Sequence, residues 1–128
     1  KFFGECNLIN CTVIDKKINN IVVDSEYGKF SILQNTNVSP GDNIIFGIRP
    51  EEIKIISQAN TNSISLAIKD IEFKGSTSNI NVKTKNSGNF VKIQNISSNI
   101  SQSFQQGNSI NIEFNTAVGT IFKNERST

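Results

Sequence analysis

Apolar and polar residues alternate with a period of two along most of the chain. In the clearest stretch, Ile110, Ile112 and Phe114 alternate with Asn111 and Glu113. This spacing puts successive side chains on opposite faces of an extended strand. No segment has the spacing of an amphipathic helix. The pattern predicts an all-β protein with ten strands, at residues 10–16, 20–25, 29–34, 43–48, 53–57, 63–74, 78–85, 89–94, 108–114 and 117–123.

The longest predicted strand changes parity partway along. Its first apolar residues share one face: Ile64, Leu66 and Ile68. The next two, Ile71 and Phe73, fall on the other face. A bulge or bend near Lys69-Asp70 would restore the pattern and return both of them to the core, because an extra residue reverses the alternation.

Turn residues separate the strands. Tyr27-Gly28 and Asn86-Ser87-Gly88 predict hairpin turns in which glycine takes a positive φ. Ser39-Pro40-Gly41-Asp42 predicts a type II-like turn, since proline presets φ at its second position and glycine supplies the positive φ at its third.

The chain also resembles itself. Gly28–Asn35 aligns without gaps on Gly88–Asn95 at an offset of 60, and Phe30 then matches Phe90. Farther on, residues 41–46 resemble residues 107–112 at an offset of 66. Each half therefore has five strands in the same order.

Two related five-strand halves, at about 1–57 and 63–128, predict a fold built from OB-like β-barrels. The halves could form a pair of small barrels or one interlocked β-barrel assembly. Units of roughly 60 residues are marginally stable alone, so we expect them to share a core. The whole of residues 1–128 is then a single domain.

Composition argues against catalysis. The chain has no histidine, which removes the usual general base and the commonest metal ligand. Cys6 and Cys11 are too few ligands for zinc, and their odd spacing along a strand disfavours a disulfide between them. The adjacent Glu51 and Glu52 would diverge rather than face one substrate, and no phosphate-binding loop is present. We predict no catalytic, cofactor-binding or metal-binding residue, and no enzyme activity.

Charge argues against a nucleic-acid partner. The chain carries 13 basic and 11 acidic residues, for a formal net charge of +2. Basic residues are scattered rather than clustered, and most phenylalanines occupy core-facing positions of the predicted strands. Neither feature is typical of a surface that binds oligonucleotides.

The segment Arg49-Pro50-Glu51-Glu52 interrupts two strongly apolar runs. A residue before proline favours extended backbone, so Arg49 should end its strand. Pro50 suits the first position of a tight turn or of a single helical turn, and the glutamates favour the positive end of that turn. Arg49 could pair with a glutamate or a carboxylate of a neighbouring strand, or it could serve at an interface.

An ordered set of motifs spans nearly the whole chain: residues 3–8 (FGECNL), 40–42 (PGD), 48–53 (IRPEEI), 73–76 (FKGS) and 105–110 (QQGNSI). Together they resemble the C-terminal regulatory segment of ATP-binding subunits of bacterial ABC importers, called the TOBE domain. Within that family, residues 4–17 (GECNLINCTVIDKK) are most similar to spermidine/putrescine importers. Iron(III) and sugar importers are the next most similar.

The resemblance implies a non-catalytic domain in the cytoplasm, peripheral to the inner face of the cell membrane. Its partners would be its own ATPase domain, a second copy in a homodimer and, through the full-length protein, the membrane permease subunits. ATP and magnesium would bind the ATPase domain, expected before Lys1, and no cofactor is expected in residues 1–128. The motifs assign Asn7, Arg49, Pro50 and Glu51 as candidates for a structural or regulatory interface. A free-standing module that binds a small oxyanion or a polyamine remains the alternative.

Overall fold

The computed structural model describes residues 5–85 and 87–123. All ten predicted strands are present, with ends within three residues of the predicted ones. They are β1 (Asn7–Lys16), β2 (Ile21–Ser25), β3 (Gly28–Ile32), β4 (Asn43–Ile48), β5 (Ile53–Ile56), β6 (Ile64–Lys74), β7 (Thr77–Lys83), β8 (Val91–Ser97), β9 (Ser109–Phe114) and β10 (Thr120–Lys123). A 3₁₀ turn at Pro50–Glu52 and the short helix α1 at Ser98–Ser101 complete the list. In the part of the chain described, no helix is long and apolar enough to cross a bilayer.

The strands form two sheets with the same internal order. One sheet runs β10-β4-β1-β2-β3 and the other β5-β9-β6-β7-β8. The last strand of each half thus pairs with a strand of the other half: β5 pairs with β9, and β10 pairs with β4. The predicted all-β fold with two related five-strand halves is confirmed, and this exchange of strands makes it an interlocked assembly.

A single apolar core joins the two sheets. The rings of Phe30 and Phe46 lie 5.7 Å apart between centroids, and Phe114 of the second half contacts both, at 5.1 and 6.4 Å. The inward residues of β9 are buried as predicted: Ile110, Ile112 and Phe114. Burial of this kind contributes roughly 25 cal/mol per Å² of apolar surface, so the shared core stabilises both halves at once.

The predicted bulge in β6 is confirmed, with a register shift against β7 between Ile68 and Asp70. Ile71 packs half-buried against the core, but Phe73 is 57% exposed. The expectation that the bulge returns Phe73 to the core was therefore wrong. The reason is that β9 covers only Ile64–Ala67 of β6, and the distal end pairs with β7 alone.

Hydrogen bonds confirm the repeat at an offset of 66. In the first half, Val13 N donates to Asp42 O (2.9 Å) and Gly41 N donates to Val13 O (2.8 Å). In the second half, Ile68 N donates to Asn108 O and Gly107 N donates to Ile68 O, both at 2.8 Å. Gly41 and Gly107 take φ values of 95° and 90° in these matching turns.

The alignment at an offset of 60 was wrong by one residue. Phe30 lies opposite Val23 in the β2–β3 pair, and Val91 lies opposite Val82 in the β7–β8 pair. Phe30 is therefore equivalent to Val91, whereas Phe90 is 45% exposed. Because side chains alternate between faces, a slip of one residue exchanges inward and outward positions.

The predicted turns are mostly confirmed. Asp42 N donates to Ser39 O (3.0 Å) across the Ser39–Asp42 turn, and Gly28 has a φ of 131°. Gly88 does not take a positive φ, so that part of the prediction was wrong. Asn86 lies outside the described residues.

Candidate functional site

The corner between β4 and β5 forms as the sequence predicts. Arg49 is extended, with φ −73° and ψ 146°, and Pro50 begins a single 3₁₀ turn. Glu52 N donates to Arg49 O at 2.9 Å, which closes the turn before β5 begins at Ile53. Pro50 is buried, whereas Arg49 and Glu51 are exposed. The proline therefore fixes the corner while two charged side chains face outward.

This corner is bonded to its counterpart in the other half. Between β9 and β10, Val118 N donates to Asn115 O at 3.2 Å in an equivalent turn. Asn115 N donates to Glu52 O (2.9 Å), and Asn115 Nδ2 donates to Glu52 Oε1 (3.2 Å). The two chain segments that exchange strands are thus joined to each other where they cross.

A cleft of about 360 Å³ opens beside the joined corners. We call it the junction cleft, and its polar lining includes Glu51, Glu52, Lys54, Asn62, Glu113 and Thr116. Lys54 Nζ lies 3.8 Å from Glu113 Oε1, so one carboxylate is partly compensated. Two further glutamates leave the lining negative, which favours cationic over anionic ligands.

Asn7 joins the two halves at the start of β1. Its Nδ2 donates to Lys92 O and its Oδ1 accepts from Lys92 N, both at 2.9 Å. Asn62, in the loop before β6, has the same place in the second half, and its Oδ1 accepts from Ser31 N at 2.8 Å. Each asparagine thus links the first strand of one half to the edge strand of the other half.

The four predicted residues lie at one end of the first sheet. Asn7 is opposite Ile48, the residue before Arg49, while Pro50 and Glu51 follow in the turn. Asn7 is hydrogen-bonded to the backbone of Lys92, and Pro50 is buried. Arg49 and Glu51 are exposed at the surface. Their assignment to a regulatory interface stays a prediction.

Sequence reasoning missed Asn62 and Asn115. Asn62 precedes β6 as Asn7 begins β1, but the two residues match at an offset of 55, which neither alignment of the sequence with itself used. Asn115 occupies the place of Arg49 at the offset of 66, a substitution that hides the equivalence of the corners.

Cys6 adjoins the corner and is poorly suited to nucleophilic chemistry. Partial burial raises the pKa of its thiol, Arg49 opposes the rise and Glu51 adds to it. Burial raises the pKa of Cys11 to about 12. Both cysteines are free, and both remain protonated at neutral pH. Residues 5–85 and 87–123 contain no cluster of three or more potential metal ligands of the His, Cys, Asp or Glu type.

Comparison with known proteins is consistent with this architecture. The family model described as TOBE domain matches residues 46–122, which include both corners and β5 to β9. No curated protein sequence matches the chain significantly. Among solved structures, the fold is similar to that of the cytoplasmic molybdate-binding protein ModG in a crystal form with molybdate bound. The TM-score is 0.72 at 10% sequence identity, over 92% of this chain and 96% of that one. Since the family model covers more than half of its length, the chain belongs to the TOBE domain family.

Proposed function

We propose that this TOBE domain is a non-catalytic regulatory and dimerisation module of the ATP-binding subunit of an ABC importer, with polyamines as the transported class. The observation that supports the proposal is the TOBE match over residues 46–122. That range contains the corner, Phe73–Ser76 and Gln105–Ile110, which are motifs of importer subunits in the resemblance described above. The choice of polyamines rests on residues 4–17.

The mechanism follows from linkage. A domain shifts the equilibrium between open and closed ATPase dimers when the free energy of its contacts differs between the two states. Arg49 and Glu51 suit such contacts because they are exposed on a corner fixed by Pro50 and by the Glu52–Asn115 hydrogen bonds. Exchange of β5 and β10 between the sheets means that a contact at the corner involves strands of both halves.

Removing the domain from the intact ATP-binding subunit tests the proposal. We expect ATP binding to persist, while the stability of the ATPase dimer or the control of hydrolysis changes. Unchanged dimerisation and unchanged transport control after removal would contradict the assignment.

Arg49→Ala tests the role of the corner. Arg49 is exposed, and exposed charges contribute about 0–1 kcal/mol to stability. We therefore expect little change in the melting of the isolated domain but weaker assembly of the full-length subunit, measured by analytical ultracentrifugation. Lys29→Ala, which removes an exposed cation from β3, is the matched control. Equal assembly of all three proteins would count against an interface role for Arg49.

Direct ligand binding is the second candidate function. Similarity to a molybdate-binding fold favours an oxyanion, whereas the glutamates of the junction cleft favour a polyamine. Calorimetry on the chain with spermidine, molybdate and sulfate separates the two. Saturable micromolar binding of spermidine that Glu51→Gln weakens would place a polyamine in the junction cleft. An absence of heat with all three ligands would exclude this candidate.

A further inference from the structure

A second cleft, of about 340 Å³, opens on the outer surface near the β6–β7 pair. We call it the basic cleft, and it is lined by Lys69, Lys83, Lys85, Gln106 and Gly107 above Ala67 and Ile68. Its volume is within the roughly 300–1,000 Å³ typical of small-ligand sites. Three lysines line it and, among the described residues, no carboxylate does.

Only one of the three lysines of the basic cleft is paired with a carboxylate among the described residues. Lys69 occupies the bulge of β6, with its Nζ 3.2 Å from Asp70 Oδ2 and 5.0 Å from the centre of the Phe90 ring. These two contacts hold Lys69 in place and compensate one positive charge. Lys83 and Lys85 form no ion pair with any residue that the structure describes. The cleft therefore keeps an excess of positive charge.

Comparison of the two halves shows that the fold does not require these lysines. Lys83 lies opposite Ala67, and its equivalent Asp24 lies opposite Thr12. Two residues farther along, Lys85 corresponds to Glu26. The same backbone frame thus carries positive charge in one half and negative charge in the other. The positive lining is a property of this cleft and not a consequence of its architecture.

We propose that the basic cleft binds a multivalent oxyanion of the phosphate class, either free or carried on a larger molecule. Lysine ammonium groups act as point charges with three donors each, and they suit tetrahedral oxyanions without a fixed fork geometry. Gln106 is exposed and lines the cleft, so its side-chain amide adds a neutral donor. The site is separate from the junction cleft, and its test does not depend on the importer assignment.

Titration of the chain with pyrophosphate, followed by NMR, tests the site. We expect saturable shifts at the backbone amides of Ala67, Lys69 and Gly107, with affinity falling as salt rises. In Lys83→Gln/Lys85→Gln, affinity should fall about tenfold, as the loss of two charge contacts predicts. The control Lys17→Gln/Lys29→Gln removes the same net charge at two exposed positions elsewhere and should change affinity by less than about twofold.

A second arm identifies the source of the phosphate group. Co-flotation with phosphatidylglycerol vesicles, lost in the Lys83→Gln/Lys85→Gln variant alone, would assign a lipid headgroup, whereas pyrophosphate binding without flotation would assign a free anion. Backbone spectra of both double variants establish that they fold. Shifts confined to other residues, equal weakening in both double variants, or no binding in either arm would overturn the proposal.

Discussion

Asn7 and Asn62 are the individual residues with the clearest structural role. An amide side chain carries both a donor and an acceptor, so it can replace a strand residue in a backbone ladder. Asn7 uses both groups on Lys92, at 2.9 Å each, whereas Asn62 accepts one bond from Ser31 N at 2.8 Å. Because each pair bridges the two halves, these side-chain bonds connect the two sheets where no backbone ladder does.

Asn7→Ala should lower the free energy of unfolding by about 1–3 kcal/mol, because two partly buried backbone groups lose their partners. Asn62→Ala removes one such bond and should cost less. Urea denaturation followed by circular dichroism measures both changes. Asn10→Ala, at an exposed position of β1, is the control and should be near neutral. An Asn7→Ala protein as stable as this control would contradict the role of Asn7 in joining the two sheets.

Buried protonated groups predict a loss of stability at alkaline pH. Burial raises the pKa of Cys11 from 9.0 to about 12, and burial with the nearby Glu26 charge raises the pKa of Tyr27 from 10.0 to about 12. At a pH above the ordinary pKa of each group, the folded state binds more protons than the unfolded state. The free energy of unfolding therefore falls as pH rises from about 9 to 12. Cys11 alone contributes a slope of at most about 1.4 kcal/mol per pH unit.

Denaturation midpoints between pH 8 and 12 measure this slope. Tyr27→Phe should flatten it between pH 10 and 12, and Cys11→Ala should flatten it from pH 9 upward even though it leaves a small cavity. Identical slopes in the wild type and both variants would show that other groups govern alkaline unfolding.

At the scale of elements, the two corners decide where β5 and β10 go. Each corner follows the fourth strand of its half. It leads into the fifth strand, which pairs in the opposite sheet. The first uses Pro50 in a 3₁₀ turn, and the second ends at Gly119 before β10. A Cβ at Gly119 would overlap the ring of Phe46 and lie 3.0 Å from Gly47 O. The absence of a side chain there lets β10 approach β4.

Gly119→Ala should therefore destabilise the protein by about 1–3 kcal/mol, as expected for overpacking beside a fully buried ring. Gly88→Ala is the matched control, because no described residue lies within 4 Å of its added Cβ and its φ is not positive. Thermal melting compares the two variants. Combining Gly119→Ala with Phe46→Leu should cost less than the sum of the single changes, since the smaller side chain removes the overlap. Strict additivity would show that the close approach to Phe46 is not the cause.

At the scale of the whole molecule, the interlock makes each half incomplete alone. Without the second half, β5 loses its partner β9, and β4 loses β10. The aromatic contacts of Phe114 with Phe30 and Phe46 are lost with them. Exposed strand edges and a divided core disfavour an independent fold for about 60 residues.

Separate fragments 1–57 and 58–128 should each be largely unfolded, and an equimolar mixture should recover the spectrum of the intact chain. Circular dichroism and backbone NMR of each fragment and of the mixture measure this. The intact chain is the reference, and it should unfold in one cooperative transition. A folded 1–57 fragment would show that the halves are independent domains.

The sequence by itself determined the strands, the bulge, the Ser39–Asp42 turn and the Arg49–Glu52 corner. These features depend on local rules, namely the two-residue period of a strand and the backbone restrictions of proline and glycine. The same rules located three of the candidate residues at one corner, and the order of motifs added Asn7. Burial of the alternating β9 residues follows equally from their period.

Only the tertiary structure decided the exchange of β5 and β10, the exposure of Phe73 and the pairing of Asn7 with Lys92. Each depends on which distant segment lies alongside, and a local pattern carries no information about that choice. The register of the internal repeat shows the limit most plainly. Similarity of residue types aligned Phe30 with Phe90, but the hydrogen-bonded register of the strands makes Phe30 equivalent to Val91. A shift of one position leaves composition unchanged and turns every side chain to the opposite face.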